Sequence, residues 1–240
     1  MRAALVAVLF LLSACASDTE EATPPMPQPA SQRAAAPVPP TAQRAEQNEG
    51  AVVVLFLGDS LTDGYGLSRP QAYPALVGEK AAEAGTPIEV VNAGVSGDTS
   101  AGGLRRVDWL LKRTTPDVLV LALGANDGLR GLPTDQMKAN LLAIVDRVRE
   151  ANPDVEVVLA GMQTLTNYGG AYGRQYAAVF PEVAEEAGAA AYLPFLLEGV
   201  AADPSLNQPD GVHPNARGQR ILADNVWAVL APVVREAASS

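Results

Sequence analysis

Val52-Val53-Val54-Leu55-Phe56-Leu57-Gly58-Asp59-Ser60-Leu61 is the stretch on which the fold of this chain turns. An unbroken apolar run, half of it β-branched, leads into a glycine and then into polar residues. Such a run reads as a strand covered on both faces, with the polar residues at its carboxyl end. Ile88–Val91, Val118–Leu123 and Val155–Ala160 repeat the pattern. Helical periods lie between them. Thr134 is placed to cap a helix in which Met137, Leu141, Ile144, Val145 and Val148 recur at helical spacing, and Pro153 stops it after Asn152. Similar periods fall near 71–84, 101–113, 174–187 and 215–231. The last begins after Pro214, carries Ile221, Leu222, Val226, Val229 and Leu230 on one face, and ends or bends at Pro232. Strand and helix alternating in this way predict a three-layer α/β/α sandwich of flavodoxin-like kind, with a mainly parallel sheet and right-handed crossovers. Ligands of such sheets sit at the carboxyl ends of the strands, so the residues that follow each run matter most.

The chain has 240 residues, 48% hydrophobic and 18% charged, enough apolar material for one sizeable core. Its formal net charge is -10, which repels polyanions and argues against a nucleic-acid partner. Cys15 is the only cysteine, which excludes an intrachain disulfide, a cysteine zinc site and a C-x-x-C redox motif. His213 is the only histidine, so no site needing two imidazoles is available, and any histidine chemistry is its own.

The amino terminus reads as an address. Met1 and Arg2 precede an apolar run from Ala3 to Leu12, too short to span a bilayer but suited to a secretory signal. Leu12-Ser13-Ala14-Cys15 resembles the bacterial lipobox, which implies lipid attachment at Cys15; Ala16 after the cysteine implies sorting to the outer membrane. The expected location is thus the periplasmic face of that membrane. From Ala16 to about Gly50 the composition turns to Pro, Ala, Gln, Ser and Thr without apolar periodicity, a tether rather than a core. The expected organisation is a signal peptide over 1–14, a lipidated cysteine and tether over 15–50, and a catalytic domain over 51–240. Residues 1–50 hold two more acids than bases, so the domain keeps a formal charge of -8.

Three of the strand-like runs and the carboxyl-terminal region carry polar motifs. These are Gly58-Asp59-Ser60-Leu61, Asn92-Ala93-Gly94-Val95-Ser96-Gly97-Asp98-Thr99, Gly124-Ala125-Asn126-Asp127 and Asp210-Gly211-Val212-His213-Pro214. Together they resemble the GDSL or SGNH hydrolase family, whose four namesake residues match Ser60, Gly97, Asn126 and His213 in the family's order. The resemblance covers residues 52–235. It is nearest to the bacterial arylesterase, acyl-CoA thioesterase and lysophospholipase branch, through Val95–Ser100, Asn126–Gly131 and Tyr172-Gly173-Arg174. It implies the SGNH hydrolase fold, ester or thioester hydrolysis and no cofactor.

The residues support the same chemistry on their own terms. A serine hydroxyl is a weak nucleophile until a base takes its proton, and a neutral imidazole is the commonest such base. Asp210, three residues before His213, can accept the Nδ1 proton and leave Nε2 to Ser60. The Gly-x-Ser-x-Gly elbow of α/β-hydrolases is absent, because Thr62 stands at its last glycine. The backbone N–H groups of Ser60 and Gly97 and the amide of Asn126 form an oxyanion hole if their loops share one sheet edge. Read singly, a Ser at position 60 is more commonly a helix N-cap and a His before Pro a loop residue, while Gly97 is open to a turn-glycine role and Asn126 to that of a left-handed turn residue. Asp59 is expected to orient the Ser60 loop through backbone hydrogen bonds. Asp98, Asp127 and Asp210 are not spaced as a metal loop, and no metal is expected.

Leu129 and Leu132, in a glycine-flanked segment that no regular element obviously buries, and Tyr168, in a second segment with Leu165, Gly169, Gly170 and Tyr172, are the expected substrate-binding residues. The first segment is expected to move. The expected partners are a small-molecule acyl ester or thioester and, through Cys15, a membrane, with the chain a monomer. Two alternatives stand beside this reading: a carbohydrate or cell-wall O-deacetylase, and a noncatalytic lipoprotein that binds acyl chains or glycans.

Overall fold

The computed structural model describes residues 51–163 and 169–239. The signal, Cys15, the tether, Leu165 and Tyr168 lie outside the described residues. The apolar runs form a five-stranded, all-parallel sheet of β1 (Val52–Gly58), β2 (Ile88–Gly94), β3 (Val118–Ala122), β4 (Glu156–Ala160) and β5 (Ala191–Leu193), in the order β2-β1-β3-β4-β5. That is the flavodoxin-like order, and its direction of winding reverses between β1 and β3. Phe56 sits beside Asn92 on one flank and Val120 on the other, and β1 and β3 are buried almost throughout.

Seven helices join the strands among the described residues: α1 (Ser60–Asp63), α2 (Tyr73–Glu83), α3 (Ser100–Leu111), α4 (Ala125–Leu129), α5 (Thr134–Ala151), α6 (Gly170–Glu186) and α7 (Ala216–Ala237). α2 packs on α7 on one face of the sheet. On the other, α3 packs on α5 and α5 on α6. Met137, Leu141, Ile144, Val145 and Val148 face the core from α5 as their spacing predicts.

Several expectations are corrected. Thr134 does not cap α5; Pro133 holds the cap position without a side-chain hydrogen bond, and Thr134 is already helical. Pro232 does not end α7, which continues to Ala237 because Val233 and Val234 bury the following turn in the core. Ala191–Leu193 forms an edge strand too short to show a period. The segment after β3 is not a bare loop, since Ala125–Leu129 winds into α4.

Candidate active site

Every motif lies at the carboxyl edge of the sheet, where the winding reverses. Gly58 ends β1 without a side chain, because a Cβ there would run into Thr62. Asp59 then caps α1, accepting the Leu61 N–H at 3.0 Å, and Ser60 becomes the first residue of that short helix. Gly64, in the left-handed region at φ 76°, closes it. Thr62 anchors the turn through a 2.9 Å hydroxyl contact with buried Tyr73, and the Asn92 amide donates to the Thr62 carbonyl at 2.9 Å. The nucleophile turn is thus fixed from α2 and from β2.

Ser60, His213 and Asp210 stand in a relay. His213 Nε2 is 3.0 Å from Ser60 Oγ, and its Nδ1 is 2.8 Å from Asp210 Oδ2. The other oxygen of Asp210 accepts the N–H groups of Val212 at 2.9 Å and His213 at 3.0 Å. These bonds, led by that from the His213 backbone, hold the Asp210 carboxyl at about 2, below its ordinary 3.8, so it is ionised wherever an imidazole can act as a base. An imidazole bonded in this way can take the Ser60 proton as the hydroxyl attacks a carbonyl carbon. The histidine loop is itself braced. Gln208 donates its backbone N–H to the His213 carbonyl at 2.7 Å, and its side chain donates to the Tyr65 carbonyl at 2.6 Å. The Tyr65 ring lies against the imidazole, with centroids 4.5 Å apart and planes at 37°.

Ser60, Gly97 and Asn126 line one cavity. Gly97 has a φ of 83°, a conformation that side chains resist, and it lines the cavity without a side chain. Asn126 Nδ2 donates to the Asp98 carbonyl at 2.9 Å and lies 3.4 Å from Asp59 Oδ2, and so long a second contact leaves that proton available to an oxyanion. The Asp98 side chain pairs with Arg106 at 2.6 Å, and Arg106 also donates to the Gly58 carbonyl at 3.0 Å, tying the ends of β1 and of the Gly97 loop together. Asp127, buried behind Asn126, accepts the Ser100 N–H at 2.8 Å and hydroxyl at 2.6 Å, and Asn140 donates to that hydroxyl at 3.0 Å. Asp98, Asp127 and Asp210 therefore serve three separate partners. Asp59 is fully buried, and desolvation pushes its carboxyl up to about 6 against the opposing Leu61 and Asn126 hydrogen bonds.

The cavity measures about 560 Å³, and Leu61, Tyr65, Leu129, Phe195, Leu197 and Val212 give it apolar walls. Leu129 stands where the sequence places it. Leu132 does not line the cavity; its carbonyl instead accepts the Tyr172 hydroxyl at 2.9 Å, which holds the segment to α6. Tyr176 similarly donates to the Gly124 carbonyl at 2.9 Å. Two tyrosine hydroxyls of α6 thus contact the backbone on either side of α4. Tyr65, Phe195, Gln208 and Arg106 were not legible as site residues, because nothing local in their sequence distinguishes them from ordinary loop and helix positions.

A family model described as the GDSL-like lipase/acylhydrolase family matches residues 56–221. Esterase TesA of Pseudomonas aeruginosa is 39% identical over 188 residues, 78% of this chain and 92% of that protein. Thioesterase 1/protease 1/lysophospholipase L1 of Escherichia coli is 40% identical over 184 residues, 77% of this chain and 86% of that protein. Among solved structures, the psychrotrophic esterase EstA from Pseudoalteromonas sp., inhibited by monoethylphosphonate, has a TM-score of 0.71 at 32% identity, covering 76% of this chain and 98% of that one.

Proposed function

The chain belongs to the GDSL-like lipase/acylhydrolase family and is a serine ester hydrolase, and on that footing we propose how its residues divide the work and where it acts. Ser60 Oγ attacks the carbonyl carbon of an acyl ester or thioester while His213 Nε2 takes its proton and Asp210 holds the imidazole through Nδ1. The N–H groups of Ser60 and Gly97 and the Asn126 amide receive the oxyanion. Collapse expels the alcohol or thiol, protonated by His213, and leaves acyl-Ser60. Water, deprotonated by His213, then releases the acid and restores the serine.

The observation that carries this reading is the relay of 3.0 and 2.8 Å contacts at the wall of an apolar cavity. A cavity of about 560 Å³ far exceeds an acetyl group, which favours longer acyl chains over an O-deacetylase. The complete relay favours catalysis over mere binding. Cys15 carries the lipid that holds the protein at the periplasmic face of the outer membrane. β1, the first strand of the domain, begins at the sheet edge opposite the site.

A fluorophosphonate probe tests the nucleophile. The wild-type chain takes the label and Ser60→Ala does not, while Ser60→Ala and His213→Ala each lower kcat on an activated ester by ~10⁴ with the fold retained. Labelling of folded Ser60→Ala, or activity within about tenfold of wild type, overturns the assignment.

A further inference from the structure

The large apolar side chains exposed on this domain are concentrated at one place. Among the described residues Tyr65, Val95, Leu129 and Val212 are 43 to 50% exposed, and Trp109 is 55% exposed. The first four come from four different strand-end segments. Tyr65, Leu129 and Val212 line the cavity, and Val95 precedes Ser96 and Gly97, which line it too. Trp109 stands apart on α3, where the Arg113 guanidinium covers its ring at 4.1 Å. One exposed apolar residue signifies little, but four around a single mouth form a patch of the kind that marks an interaction surface.

A cation stands beside them. Arg130 is exposed, donates to the Gly97 carbonyl at 2.9 Å and pairs with no carboxylate among the described residues. Two acids of the rim segments have partners of their own: Asp63 accepts the Ser96 hydroxyl at 2.8 Å, and Asp210 faces His213.

We propose that this rim docks on the surface of a zwitterionic, phosphate-bearing lipid aggregate, with the apolar side chains entering the surface and Arg130 meeting a phosphate. The inference rests on the ester-hydrolase reading and adds the physical state of the substrate to it. Three observations choose the occupant. The rim is continuous with the cavity that takes the acyl chain, so a chain passes from lipid to protein without crossing water. A protein seated there would close that cavity. The guanidinium suits a phosphate, whereas the domain's charge of -8 opposes a surface of net negative charge.

The test compares one phospholipid below and above its critical micelle concentration. The full chain and its Val95→Glu and Trp109→Glu variants are assayed on lysophosphatidylcholine in both ranges, and on p-nitrophenyl butyrate in homogeneous solution. The wild-type and Trp109→Glu rates rise steeply as micelles form. Val95→Glu loses at least about tenfold of the micellar rate and keeps its soluble-ester rate, because a charge replaces a side chain that enters the surface. If Val95→Glu impairs both rates, Val95→Ser, which removes the apolar group without adding charge, is read in its place. Loss of the micellar rate alone supports docking. A wild-type rate with no rise at micelle formation, or equal micellar rates in the Val95 and Trp109 variants, overturns it. A wild-type chain inactive on the soluble ester would overturn the hydrolase reading instead.

Discussion

Replacing Asp59 by Asn separates the stability of this domain from its activity. The Asp59 carboxyl is fully buried, and its value rises from 3.8 to about 6 because burial penalises the charge more than the Leu61 and Asn126 hydrogen bonds favour it. The native state therefore holds this proton more tightly than the unfolded chain. Its contribution to stability is present below about pH 4 and is lost as pH rises through about 6. At about 1.36 kcal/mol per pH unit, the difference amounts to about 3 kcal/mol at pH 7 and above. Asparagine keeps an oxygen for the Leu61 N–H but carries no charge. Its stability relative to wild type, from urea unfolding, should rise from near zero at pH 4 to about 3 kcal/mol at pH 7.5. Asp210, held at about 2, contributes equally to both proteins and cancels. The same substitution sets an amide donor against the Asn126 amide 3.4 Å away, so kcat should fall by about tenfold as the oxyanion donor loses its support. A stability difference that stays flat between pH 4 and 7.5 would refute the argument that an uncompensated buried carboxylate lies under the nucleophile.

Asn126→Ala should lower kcat by about 10² to 10³ with a much smaller change in KM, as steady-state kinetics on one ester will read, because its amide favours the oxyanion over the ground-state carbonyl. Leu129→Asp should depress kcat/KM for octanoyl esters more than for acetyl esters, at about 0.8 kcal/mol for each methylene no longer buried, and Leu132→Arg, outside the cavity, should leave that ratio unchanged. Cys15→Ser in the native host should abolish labelling by a fatty-acid analogue and release the protein from the membrane fraction, while residues 51–240 alone stay soluble and active.

The four main strands and the motifs at their ends are legible in the amino-acid sequence. An unbroken apolar run such as Val118–Leu123 has little use except between two covering layers, and in a parallel sheet every carboxyl end meets the same edge. Ser60, Gly97, Asn126 and His213 were legible because those motifs resemble the SGNH family's in the same order, and His213 also because the chain has no other imidazole. The lesser elements were not. Ala125–Leu129 forms a helical turn because Asp127 is anchored by Ser100, whose hydroxyl is held in turn by Asn140, and because Tyr172 and Tyr176 grip the backbone on either side of it. None of those partners is visible in the five residues concerned. β5 has three residues, fewer than periodicity needs, and exists because β4 offers a free edge. Leu132 and Leu129 look alike in sequence, yet the fold gives the cavity only one of them. The ring of Tyr65 on His213 and the burial that raises Asp59 are likewise decisions of the tertiary structure. Hydrophobic period is a local property that a window of residues records, whereas a contact across 148 positions, or the dielectric around a carboxylate, is set by whichever distant segments the packing brings together.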